Sequence, residues 1–186
     1  MSWLEDAQKL DVAVYAAIAR TPSPSLDRAM RRLSRAADHS RLSLASAAAL
    51  AAVGGREGRR AAVSGLASVA ATSAIVNLVL KPVSRRRRPD RIAQEVPVAR
   101  HVRMPVSRSF PSGHAAAAFA FAHGVGRVST VAAIPLRSLA TVVAYSRVHT
   151  GVHYPGDVIA GALAGVTLAE ATTRALGQRS SSHIGP

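Results

Sequence analysis

Residues 109–114, Ser-Phe-Pro-Ser-Gly-His, set a histidine directly behind a Pro-Ser-Gly turn and ahead of a run of alanines. Alanine favours helix, and Pro, Ser and Gly mark where one begins. Ser112, Gly113 and His114 are therefore expected at a helix N-terminus. Unpaired N–H groups and the positive end of the helix dipole make that a seat for an anion. On its own the tripeptide is equally an ordinary helix start with a polar residue beside the cap.

Two further stretches carry groups of the same chemical interest. Lys81 opens a long basic segment in which Arg88-Pro89 follows, and Arg147, His153 and Asp157 fall within Ser-Arg-Val-His-Thr-Gly-Val-His-Tyr-Pro-Gly-Asp, residues 146–157. Together the stretches offer three cations, a helix N-terminus, two histidines and one carboxylate. Phosphoryl transfer from a monoester needs that inventory, because the transferring group spreads negative charge over its equatorial oxygens. Arginines answer it with bidentate forks, and Ser112 and Gly113 with a hydroxyl and backbone N–H groups. One neutral histidine can attack phosphorus in line while a second protonates the departing alkoxide and later activates water. Asp157 can accept the other ring N–H of the attacking histidine and fix its tautomer. No metal and no cofactor are needed for this chemistry, and the ten acidic residues are scattered along the chain.

Lys-Pro-Val-Ser-Arg-Arg-Arg-Arg-Pro (81–89), Pro-Ser-Gly-His (111–114) and the 146–157 stretch resemble the three-part signature of the type 2 phosphatidic acid phosphatase superfamily. That group holds membrane lipid phosphatases, soluble class A acid phosphatases and vanadium-dependent haloperoxidases. The resemblance implies His153 as the nucleophile forming a phosphohistidine, His114 as the general acid and Asp157 as the residue that orients His153. It implies Lys81, Arg88, Ser112, Gly113 and Arg147 as the phosphate cradle. Arg85, Arg86 and Arg87 read as a basic rim, His149 as a local hydrogen-bonding residue, and Asn77 as the donor of an interhelical hydrogen bond. His101 and His123 have no evident partner, and Tyr154 and Pro155 read as shaping the turn before the last helix.

The elements that must position these groups are helical. The 186 residues are 48% hydrophobic but only 4% aromatic, with a formal charge of +14 and no cysteine, so disulfides and thiolate metal sites are excluded. Residues 61–80 are twenty uncharged positions, long enough to cross a bilayer as a helix. Apolar stretches near 8–20, 42–55, 109–126, 128–146 and 157–176 complete an all-α bundle of about six helices, with 21–41, 81–111 and 147–157 as loops. Gly161 and Gly165 have the spacing that lets membrane helices approach closely. One phosphatase domain is expected over 1–178, with 179–186 a disordered tail; a soluble alanine-rich bundle is the alternative.

The expected architecture is an integral membrane bundle whose site is built by loops at one membrane face. Basic residues concentrate on that face, so the positive-inside tendency puts the site in the cytoplasm of a multi-pass cell-membrane protein. The expected substrate is a lipid phosphate: phosphatidic acid, phosphatidylglycerol phosphate or a polyprenyl-linked phosphate. The basic charge also fits a nucleic-acid or membrane-surface protein. The scarcity of aromatics for base stacking and the uncharged 61–80 stretch argue against nucleic acid. The first fourteen residues, with Glu5, Asp6 and Asp11 and no basic start, do not read as a cleaved signal peptide.

Overall fold

The computed structural model describes residues 3–182, which form seven helices and no strand. They are α1 (Trp3–Arg20), α2 (Pro24–Ala36), α3 (Arg41–Val53), α4 (Gly55–Val83), α5 (Gly113–Gly126), α6 (Thr130–His149) and α7 (Pro155–Ser182). The last part of the expected tail, 183–186, lies outside the described residues. Two helices, α4 and α6, are long and apolar enough to cross a membrane. The apolar stretches expected near 42–55 and 109–126 form helices of 13 and 14 residues, roughly 20 Å each.

One helix more than expected comes from α2, which occupies residues expected as a loop. Pro24 stands in its first turn, where a missing N–H costs nothing. Its buried face is Asp27, Met30 and Ser34, while Arg28, Arg32 and Arg35 face outward. Leu26, Met30, Leu33 and Ala37 recur at helical spacing, but the arginines make the mean hydropathy low, and the buried face adds polar Asp27 and Ser34 to Met30. That face is satisfied by partners distant in sequence. Arg100, fully buried, donates Nε to Asp27 Oδ1 at 2.7 Å and Nη1 to the Ile18 carbonyl at 2.8 Å. His149 Nε2 lies 2.8 Å from the same Asp27 oxygen. This network ties the long 84–112 loop to the α1–α2 turn and to the end of α6.

α5 is the hub of the bundle, packed between α4, α6 and α7. Gly161 and Gly165 let α7 lie directly on its first turns, as their spacing foretold. A Cβ at Gly161 would stand 2.5 Å from the Ser112 carbonyl oxygen, and one at Gly165 would stand 2.3 Å from that of Ala116. Either side chain would push α7 off the helix that carries His114. At the top of α4 the winding widens into a π turn, Val76–Leu80, immediately before Lys81. Pro82 has no N–H for the Leu78 carbonyl and its ring crowds that oxygen, so the regular ladder cannot continue there. α4 thus ends by turning Lys81 toward the start of α5, where a Cβ on Gly113 would sit 3.2 Å from Nζ.

Candidate active site

His153 follows the turn that closes α6, where Gly151 takes a positive φ of 72°. Its ring is 2% exposed. Nδ1 lies 3.3 Å from Asp157 Oδ2 one helical turn on, and Nε2 lies 3.1 Å from Arg88 Nη1. A carboxylate accepts and a guanidinium donates, so the two contacts put the proton on Nδ1 and leave the Nε2 lone pair toward Arg88. Burial, opposed by the Asp157 hydrogen bond and reinforced by the charges of Arg88 and Arg147, pushes the imidazole down to about 4. His153 is a neutral ring with its nucleophilic nitrogen among cations.

Asp157 stands in the first turn of α7, where the helix dipole favours a negative charge. Its Oδ2 also accepts from the Tyr154 backbone N–H at 2.9 Å and from the Ser109 hydroxyl. Its Oδ1 accepts from Arg86 Nη1 at 3.0 Å. The other Arg86 nitrogen bonds Asp11 of α1, and the guanidinium lies 4.5 Å above the centre of the Tyr154 ring. Arg86 is therefore not part of a solvent-facing rim: it clamps α1 to the carboxylate that holds His153. Arg85 and Arg87 do face outward.

The expected cradle residues converge from four elements. Arg88 donates Nη1 to the Val152 carbonyl at 2.8 Å and Nε to the Ser107 carbonyl at 2.9 Å. Ser107 Oγ lies between Arg88 Nη2 at 3.3 Å and Lys81 Nζ at 3.4 Å, linking the two cations. Ser112 caps α5, its Oγ accepting from the Ala115 N–H, and its own N–H donates to the Asp157 carbonyl at 2.9 Å. Arg147, 1% exposed in the last turn of α6, donates Nη1 to the Ser34 carbonyl at 3.2 Å. Its buried Nε has no hydrogen-bond partner among the described residues. A buried guanidinium N–H without an acceptor is costly unless an anion completes it.

His114 has a partner that sequence did not reveal. Its Nε2 lies 2.9 Å from Asp38 Oδ1, in the short turn between α2 and α3, and the same oxygen is 3.7 Å from Arg147 Nη1. The site thus contains two histidine–carboxylate pairs of opposite polarity. Asp157 takes Nδ1 of His153 and leaves Nε2 directed outward, whereas Asp38 takes Nε2 of His114 and leaves Nδ1.

Other expectations are met or corrected. His149 makes the expected local bond, Nδ1 lying 3.4 Å from the Tyr145 hydroxyl, and its Nε2 also reaches Asp27 across 122 positions. Asn77 Nδ2 bonds the Ser73 carbonyl within its own helix at 2.9 Å, not a neighbouring helix. His101 Nε2 meets the Val96 carbonyl at 3.0 Å, and His123 meets Glu170 at 2.7 Å. Asp38, Arg86 and Ser109 are the site residues that sequence reasoning missed. Arg86 was indistinguishable from its neighbours in a four-arginine run, and nothing local marks Asp38 or Ser109.

The chain matches the family model described as PAP2 superfamily over residues 61–181. It is 38% identical over 152 residues to decaprenylphosphoryl-5-phosphoribose phosphatase of Mycolicibacterium smegmatis, covering 81% of this chain and 78% of that protein. It is 38% identical over 94 residues to the protein of the same name from Mycobacterium tuberculosis H37Rv, covering 50% of this chain and 49% of that one. It therefore spans about half the length of the tuberculosis relatives that it matches. Among solved structures, Aquifex aeolicus LpxE superposes with a TM-score of 0.71 at 23% identity, over 89% of this chain and 95% of that one. The transmembrane PAP2 type phosphatidylglycerolphosphate phosphatase from Bacillus subtilis superposes with a TM-score of 0.67 at 24% identity, over 97% and 88%. These two share the fold.

Proposed function

This chain belongs to the PAP2 superfamily, and from that premise we propose that it is a membrane lipid phosphate phosphatase working through a phosphohistidine. The observation that carries the reading is His153: a neutral imidazole fixed by Asp157, with Nε2 facing Arg88. An entering phosphate draws Arg88 from Nε2 onto its own oxygens and frees the lone pair. Lys81, Arg147 and the N-terminal N–H groups of α5 take the remaining charge, with Arg147 Nε supplying a donor that lacks an acceptor.

His153 Nε2 attacks phosphorus as the ester P–O bond breaks. His114, whose imidazole is held down to about 3 by burial and Arg147, takes the proton of the bound phosphate monoanion on Nδ1 and passes it to the departing oxygen. His114 then takes a proton from water, whose oxygen attacks the phosphohistidine, releasing inorganic phosphate and restoring His153. Charge on the transferring group is met by protein cations throughout, without a metal or cofactor.

The apolar lengths of α4 and α6 and the shared fold support a multi-pass membrane location. Exposed Arg28, Arg32, Arg35, Arg85 and Arg87 remain on the site face once the arginines bonded within it are set aside. The positive-inside tendency then turns that face to the cytoplasm. A single cysteine at Arg103, in a chain that has none, tests this: labelling by an impermeant maleimide on intact cells would reverse the orientation.

The relatives named as decaprenylphosphoryl-5-phosphoribose phosphatases favour a polyprenyl-linked sugar phosphate over phosphatidic acid or phosphatidylglycerol phosphate. The test is phosphate release by detergent-solubilised protein on a panel of these lipids, wild type beside His153→Ala.

A further inference from the structure

Beneath His114 and Lys81 a cavity of about 190 Å3 opens between α3, α4, α5 and α6. One wall is hydroxylated: Ser43 and Ser46 stand one turn apart on α3, facing Ser73 and Asn77, one turn apart on α4. The opposite wall is apolar, with Phe121 and Leu139. Several hydroxyls elsewhere in the bundle turn back onto their own helix. Ser68 bonds the Ser64 carbonyl at 2.8 Å, Thr141 that of Arg137 at 3.0 Å and Thr172 that of Leu168 at 2.8 Å. The hydroxyls of Ser43, Ser46 and Ser73 make no such bond and no other among the described residues. Ser43 is 8% exposed, and its hydroxyl lines the cavity without a hydrogen-bond partner among the described residues. Asn77 commits its amide N–H to Ser73 and keeps its carbonyl oxygen available.

Hydroxyls that line a cavity without a protein partner are open to hydrogen-bond a polar ligand that enters it. The volume holds about six waters at roughly 30 Å3 each, the bulk of a single sugar ring. An alkyl chain would use the apolar wall and leave the hydroxyls unpaired. A pentose ring uses both, its hydroxyls toward the serines and its C–H face toward Phe121. We propose that this cavity is a sugar subsite, in which Ser43, Ser46, Ser73 and Asn77 bind the hydroxyls of a sugar whose terminal phosphate is being removed. This rests on the phosphatase reading, because protonation of the leaving oxygen by His114 puts the leaving group at the cavity mouth.

The experiment compares kcat/KM for a polyprenyl-linked pentose bearing a terminal phosphomonoester with kcat/KM for phosphatidic acid, on full-length protein in detergent. Wild type should favour the sugar lipid. Ser43→Ala and Ser73→Ala should each cut that preference about tenfold, as expected for a lost buried hydrogen bond, and Ser43→Leu, which fills the cavity, should cut it further. Equal losses on both lipids, or an unmoved ratio, overturn the subsite. Hydrolysis of phosphatidic acid but not the sugar lipid by wild type also overturns it while the phosphatase reading stands. A folded wild type that hydrolyses neither overturns both.

Discussion

The ring of His114 is held by the carboxylate of Asp38, with Nε2 2.9 Å from Oδ1. This pair reaches across 76 positions and joins the start of α5 to the turn before α3. Since a carboxylate accepts, the neutral ring carries its proton on Nε2 and leaves Nδ1 as the lone pair that can take up a proton and pass it on. His114→Ala should reduce turnover of an alkyl lipid phosphate by about 100-fold or more, and much less for a nitrophenyl phosphate, whose leaving group needs no proton. Asp38→Asn should show the same leaving-group bias in milder form. Equal losses across leaving groups would remove Asp38 and His114 from the protonation step.

His153→Ala should abolish turnover of every substrate while leaving helix content and the thermal midpoint in detergent close to wild type. Acid-stable quench conditions are unsuitable for a phosphohistidine, so alkaline quench after a burst of labelled substrate is the measurement. Label should stay on wild-type protein and be absent from the variant.

Arg86 bridges Asp11 and Asp157. Arg86→Ala leaves those two carboxylates facing each other and loosens the residue that fixes His153. A loss of about tenfold or more in kcat is expected, corresponding to about 1.4 kcal/mol of transition-state stabilisation. Arg86→Lys should recover part of it, since one ammonium replaces the charge but not the fork. A change in KM alone, with kcat intact, would return Arg86 to a merely attractive role at the surface.

The depressed His153 value gives stability a definite pH dependence. Folded protein keeps this ring neutral down to about 4, whereas the unfolded chain protonates it near 6.5. Between those values the unfolded state binds more protons, so stability falls as pH drops from 6.5 toward 4 and this contribution then levels off. Burial also pushes His114 down, to about 3, so the readout is the difference between wild type and His153→Gln. The thermal midpoints in detergent should converge as pH falls through this window if the replacement is otherwise the less stable protein. Parallel curves would show that His153 is not held neutral by its surroundings.

Chelation by EDTA should leave phosphate release nearly intact, and a requirement for magnesium would overturn the metal-free mechanism. Orthovanadate should inhibit, since its five-coordinate geometry resembles the transferring phosphoryl group. Halide oxidation on adding vanadate and peroxide would instead favour the haloperoxidase branch of the superfamily.

The sequence alone determined the helical class, the residues of the three-part signature and the close approach marked by Gly161 and Gly165, because each is carried by local spacing. Ser112-Gly113-His114 reads as a helix start from alanine propensity and capping, and Asp157 lies one turn beyond His153 in any helical or turn geometry. What tertiary structure decided are the pairings between distant segments. Asp38 with His114, Arg86 with Asp157, and Asp27 with Arg100 and His149 join residues 71 to 122 positions apart. No local pattern encodes such contacts, since a charged residue looks the same in sequence whether it faces water or a buried partner. α2 was hidden for the same reason. Its arginines lower its mean hydropathy, and only the arginine and histidine that fold back onto Asp27 make the burial of that carboxylate favourable.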